Sequence, residues 1–200
     1  MPRARTTEER ERVHERLRET GLELFSRFGL ARVTIADLAR GAGIGKGSIY
    51  QFYASKEELF FAIQEREEAA FRAALIFELE GATSPREAVF SLLVSVSARL
   101  ERHPFLRLLL DPTTLGALLL RLPPDRIEAH RENDQAFFVA LAKRWKRRGW
   151  LRAGVSPTCF VDVLTAMFVM STQEGLVGRA TSRRAAEEIA RAVADRWCEP

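Results

Sequence analysis

The chain has 200 residues, 46% hydrophobic and 29% charged, with 31 Lys and Arg against 27 Asp and Glu for a formal net charge of +4. That composition suffices for a sizeable core, or for a small domain of about 50 residues beside a larger one, and it excludes a disordered chain. Only 2 Cys and 3 His, no CxxC, no apolar run near the roughly 20 residues of a membrane helix and no signal-peptide core argue against a disulfide framework, a metal or other cofactor, and a membrane partner; the protein is expected in the cytoplasm.

Thr6 and Glu9 have capping-box spacing and open a first helix, which Val13, Leu17, Leu22, Leu24 and Phe25 continue until Phe28 and Gly29 end it. The preceding residues 1–5 are expected to be a flexible arm, either a plain disordered terminus or one whose Arg3 and Arg5 reach a minor groove. Thr34 caps a second helix, with Asp37 three residues on and Ile35, Leu38 and Ala39 as its apolar face. Gly41 and Gly43 supply a turn, Ile44 plugs the corner, and Gly45 starts another helix whose inward positions are Ile49 and Tyr53. This is a helix-turn-helix.

Its outward residues are Lys46, Gly47, Ser48, Tyr50 and Gln51, and no acidic residue occurs between Gly41 and Ser55. One cation, short hydroxyl and amide groups, a phenol and a glycine that lets backbone approach phosphate are what a major-groove reader of double-stranded DNA needs. Ser55 caps the next helix, and Lys56 in its first turn opposes the helix dipole, a conflict that a phosphate would relieve.

That helix continues through Phe60, Ile63, Phe71 and Leu75 towards Gly81. Ser84, Pro85 and Glu87 start a further helix that His103 and Pro104 close, and Asp111 with Pro112 opens a short one. Pro123 and Pro124 separate it from a longer helix carrying Ile127, Phe137, Phe138, Leu141 and Trp145 to Gly149. The basic run at 143–148 suits a helix C-terminus better than a nucleic-acid patch. Ser156 and Pro157 start a helix to Val177, and Ser182 starts the last, after a loop near Arg179 to Thr181. No strand alternation appears, so the expected fold is all-α: a helix-turn-helix domain over 1–54 and a larger helical domain over 55–200.

The stretch from Cys159 to Met170 is apolar nearly all round, with Asp162 and Thr165 as exceptions, and needs covering on more than one side. Its successor repeats Ala186, Ile189, Ala190, Val193 and Trp197 at helical spacing. Antiparallel packing of these two helices brings Cys159 and Cys198 to similar height, as free thiols in a reducing compartment. Phe71, Phe105, Leu109, Phe138, Met167 and Met170 are apolar and helical, suited to a lipophilic ligand pocket or to plain core. An enzyme is not expected, since no GxSxG, HExxH or phosphate-binding glycine loop occurs.

Through GLELFSRFG, Thr34, IADLA, AGI, KGSIY and SKEEL, residues Gly21 to about Leu59, the chain resembles the tetracycline-repressor family of bacterial transcription regulators. The resemblance implies a ligand-responsive repressor that binds a near-palindromic operator as a homodimer. Carried over by position, Thr34, Ser48, Tyr50 and Lys56 are phosphate anchors and Lys46 and Gln51 face base edges. In the family the last two helices of each chain form a four-helix dimer interface, which here implies Phe160, Leu164, Ala186, Ile189, Ala190, Val193 and Trp197. It implies also a small lipophilic or amphipathic effector in the C-terminal domain; an apolar groove for a protein partner stays open as the alternative. Two departures stand out: Phe52 and Tyr53 appear in swapped order relative to the usual polar aromatic and Phe, and Ala36 stands where many relatives have a DNA-contacting Arg.

Overall fold

The computed structural model describes residues 6–172, 176 and 178–199, so Arg3, Arg5 and the expected helix end at Val177 lie outside the described residues. The elements are α1 (Thr7–Arg32), α2 (Ile35–Gly41), a 3-10 segment (Lys46–Gln51), α3 (Lys56–Glu80), α4 (Pro85–Arg102), a second 3-10 segment (Leu106–Leu110), α5 (Pro112–Arg121), α6 (Pro124–Arg147), α7 (Pro157–Thr172) and α8 (Arg179–Trp197). Among the described residues there is no strand, and the fold is all-α.

Local chemistry sets most of the boundaries. Thr6 and Glu9 form both halves of a capping box at α1, and Asp111 accepts from the amides of Thr113 and Thr114 to start α5 behind Pro112. Gly29 leaves helical geometry with φ 76, and a last turn follows it to Arg32. Two cations at the basic end of α6 have partners within the chain: Lys146 Nζ donates to the carbonyls of Ala153 (2.7 Å) and Val155 (2.9 Å), while Arg144 pairs with Glu80 at 2.8 Å. One start differs from expectation. The last helix begins at Arg179, because Gly178 takes φ 87 and its carbonyl receives the amides of Thr181 and Ser182; Ser182 is buried inside the helix.

The chain divides into two compact units, residues up to Ala70 with His103–Ile127, and Phe71–Arg102 with the chain from Glu128. In the first, Leu17, Phe25, Leu38, Ile49, Leu59, Phe60 and Ile63 are fully buried, and the Phe60 ring lies 5.3 Å from Phe25 and 4.6 Å from Phe105. Each such side chain contributes about 1.5–3 kcal/mol of apolar burial. Phe105 and Leu109, suited on sequence to a ligand pocket or to plain core, are core of this unit, Phe105 at 0% exposure. Helical spacing of aromatics does not separate a pocket wall from a packed interior.

In the second unit α4 packs against α8 and α7 around Leu92, Trp145, Phe160, Ala190, Ala194 and Trp197. Ala190 and Ala194 are small enough for close helix approach, Phe160 stacks on Trp197 at 5.4 Å, and Trp145 meets Phe160 edge-on at 5.9 Å. Several residues of the interface expected from sequence already have cover within the chain. Phe160, Ala190 and Trp197 are consumed inside the chain's own core, with Leu164, Ala186 and Val193 half-buried against it. A periodic stripe shows that a helix has an apolar face, but not whether the same chain or another covers it. Ile189 alone of that set stays exposed, at 38%, while α7 exposes Val169 (52%) and Met170 (38%). Phe71 and Phe138 are half-buried and Met167 is buried in this unit, and Met170 lines no interior.

Cys159 is exposed and Cys198 buried, both as free thiols, and burial pushes the Cys198 thiol above its ordinary range. Equal height along two helices therefore does not give the two sulfurs a shared environment. Among the described residues no helix is long and apolar enough to cross a membrane.

Candidate nucleic-acid interface

The site begins at the Thr34 cap. Its hydroxyl accepts from the Asp37 amide at 3.2 Å and donates to the Asp37 carboxylate at 2.6 Å, while its own amide donates to the same carboxylate at 3.2 Å. These bonds hold the Asp37 carboxyl below its ordinary range and fix the entry to α2. They also commit the Thr34 hydroxyl proton, so a phosphate would have to compete for it. The turn after α2 rests on two glycines. Gly43 has φ 66, and a Cβ on Gly41 would lie 2.4 Å from Thr20 Cγ2, so α1 and α2 approach here as closely as glycine allows.

The segment expected from sequence to read DNA is a 3-10 segment of 6 residues, Lys46–Gln51, where the sequence suggests an α-helix. Gly47 and Ser48 are poor helix formers, and a piece this short gains little from i→i+4 bonds; the Ser48 amide bonds to Gly45 and that of Phe52 to Ile49, three residues back. Three residues per turn stack Tyr50 above Gly47 and Gln51 above Ser48. Ile49 and Tyr53 point inward at 1% and 9% exposure, as the spacing predicts, and Tyr50 stands out at 56%. Among the described residues, the side chains of Lys46, Ser48, Tyr50 and Gln51 have no intramolecular hydrogen bond or ion pair. A row of uncommitted donors with no acid among them is electrostatically open to a polyanion.

Lys56 is different. Its ammonium donates to the carbonyls of Leu30 (2.7 Å), Ala31 (3.3 Å) and Val33 (2.9 Å), which uses all three of its N–H groups on the C-terminal end of α1. The first-turn cation that sequence reasoning assigned to a phosphate is thus placed by the negative end of another helix. No local signal reveals this, because those carbonyls lie more than 20 residues away along the chain.

Two α1 residues absent from the sequence reading touch the end of this segment and the two aromatic residues that follow it. Arg10 Nη2 donates to the Gln51 carbonyl at 3.3 Å, with its guanidinium 5.3 Å from the centre of the Phe52 ring. His14 Nδ1 lies 3.3 Å from the Tyr53 hydroxyl, and its ring meets Phe52 and Tyr53 edge-on at 4.8 and 5.4 Å. The swapped Phe52–Tyr53 order now has a physical reason: the inward hydroxyl needs a partner, and His14 is it.

Burial lowers the His14 pKa from its ordinary 6.5, helped by Arg18 and Arg10 on either side. The folded state therefore prefers neutral His14, and its contribution is fully present above pH 6.5 and lost as the pH falls below that value, where the unfolded chain takes up the proton first. Thermal melts at pH 7.5 and 5.5 are expected to show a larger drop for the natural chain than for His14→Gln. Equal drops would remove His14 from the acid response.

Residues 17–63 match the family described as bacterial regulatory proteins, tetR family. Over 65 residues the chain is 29% identical to the HTH-type transcriptional regulator AcrR of Shigella flexneri, covering 32% of this chain and 30% of that one. Over 104 residues it is 31% identical to the nucleoid occlusion factor SlmA of Haemophilus ducreyi, covering 52% of this chain and 50% of that one. The matched stretches thus span half or less of these relatives. A TetR-family transcriptional regulator from Pectobacterium atrosepticum has a similar fold, with a TM-score of 0.66 at 19% identity, covering 94% of this chain and 93% of that one.

Proposed function

We propose that this chain, whose residues 17–63 match the bacterial tetR family of regulatory proteins, is a member of that family and acts as a ligand-responsive repressor, binding a near-palindromic operator as a twofold dimer. The observation that carries this is the exposed segment Lys46–Gln51, whose polar side chains have no hydrogen-bond or ion-pair partner among the described residues while Ile49 and Tyr53 anchor it from below. Lys46 and Gln51 read base edges, Ser48 and Tyr50 hold phosphates, Gly47 admits the backbone, and Thr34 is a weaker contact because its hydroxyl is engaged with Asp37.

Selection of bound fragments from random DNA tests this directly. The expected site is a near-palindrome with half-sites on one face of the duplex. Tyr50→Phe is expected to weaken all sites alike, whereas Gln51→Ala changes the preference at one base pair by roughly 1–3 kcal/mol. An unchanged site for Gln51→Ala together with an altered one for Tyr50→Phe would reverse the two roles.

Dimerisation is assigned to the exposed apolar residues of α7 and α8, Val169, Met170 and Ile189. The effector is a small lipophilic or amphipathic molecule held by apolar side chains of the second unit, among them Phe71, Phe138 and Met167. A protein partner in its place is the second reading, favoured by Leu119 and Leu120 of α5, exposed at 63% and 86%. A lipophilic molecule that raises the melting temperature and releases DNA supports the first; the absence of any such molecule, together with loss of regulation in a folded Leu119→Ser/Leu120→Ser chain that still binds DNA, supports the second.

A further inference from the structure

Resting on the reading of Lys46–Gln51 as the DNA-reading segment, we propose that Arg10 of α1 is a DNA phosphate contact, delivered to the end of that segment by the Phe52 ring. A phenylalanine at this position has no group to donate, and at the boundary of a polyanion-binding surface it is an electrostatic gap. The structure fills that gap from a different helix. The Arg10 guanidinium lies 5.3 Å from the Phe52 ring centre and donates one Nη2 bond, 3.3 Å, to the main-chain carbonyl of Gln51.

Three further observations point the same way. Arg10 is exposed and, among the described residues, has no carboxylate partner, although α1 is rich in acids: Glu8 pairs with Arg12 and Glu9 closes the Thr6 cap. The guanidinium presents five N–H groups in a fixed fork, and the Gln51 carbonyl uses only one side of it. Stacking and that hydrogen bond hold the side chain in place, so less rotamer freedom is lost when a phosphate oxygen arrives. Capping the end of a six-residue 3-10 segment accounts for the carbonyl bond, but not for a cation placed beside the residue whose side chain reads a base.

The test uses the full chain and the operator recovered by selection, with affinity measured over a range of salt concentrations. Arg10→Gln retains a donor for the Gln51 carbonyl and removes the charge; it is expected to lower the slope of log affinity against log salt by about 0.9, one phosphate contact. Arg10→Lys keeps the charge and should keep the slope. Arg12→Gln removes the same charge from the other side of α1 and should also leave it unchanged, which separates a contact from a net-charge effect. Ethylation interference supplies a readout independent of stability: one phosphate in each half-site is expected to lose its importance in Arg10→Gln. A natural-chain slope and ethylation pattern in Arg10→Gln would overturn the proposal while the repressor reading stands; failure of the natural chain to select any DNA would overturn that reading itself.

Discussion

Ile189→Arg is expected to turn the proposed dimer into a folded monomer, whereas Ala190→Arg, one residue further on, is expected to unfold the second unit. Ile189 is 38% exposed on α8, so a guanidinium there keeps its water in the free chain and loses it only when a second copy docks. Ala190 is at 0% exposure in the core that joins α4, α7 and α8. Arginine at that position places an unpaired charge and several extra heavy atoms where only a methyl group fits. An uncompensated buried charge costs about 3–5 kcal/mol before any overpacking is added, a large share of the roughly 5–15 kcal/mol that holds a domain together. Sedimentation at micromolar concentration and thermal melting check both halves. A natural chain that sediments as a monomer would sink the dimer, and an Ala190→Arg protein that melts like the natural one would mean that α8 presents a different face to the core.

Lys56→Met is expected to weaken the fold of the first unit more than its grip on DNA. The ammonium satisfies the carbonyls of Leu30, Ala31 and Val33 at the end of α1, and methionine keeps the length of the stem while removing every donor. Carbonyls left without a partner in a partly buried place cost about 1–3 kcal/mol, and for a chain of this size each kcal/mol lowers the melting temperature by roughly 2–4 °C. The salt slope of operator binding, measured well below the melt, should stay as in the natural chain. An unchanged melting temperature together with a slope lowered by about 0.9 would return Lys56 to the phosphate role that its sequence position suggests.

The sequence by itself determined what is settled within one turn of the backbone. Thr6 with Glu9, Thr34 with Asp37, and Asp111 ahead of Pro112 each place a helix start, because a side-chain oxygen and the amide it accepts from are two or three residues apart and no distant group is needed. The inward set Leu38, Ile49 and Tyr53 and the acid-free outward set from Lys46 to Gln51 follow from periodicity in the same way, and with them the helix-turn-helix and the all-α class. Only the tertiary structure decided which polymer surface each stripe and each cation answers to. The alanine stripe of α8 faces α4 of its own chain, Lys56 answers to the carbonyl end of α1, and Arg10 and His14 reach Phe52 and Tyr53 across some 40 residues of chain. Even the 3-10 form of the reading segment belongs here, because its short, glycine-bearing backbone has too little helix propensity to choose its own geometry, and the buried Ile49 and Tyr53 at its inner edge fix it instead. Hydrophobic and electrostatic forces act between whatever surfaces the fold brings within a few ångströms, and pattern along a chain records that a residue needs a partner without recording where that partner lies.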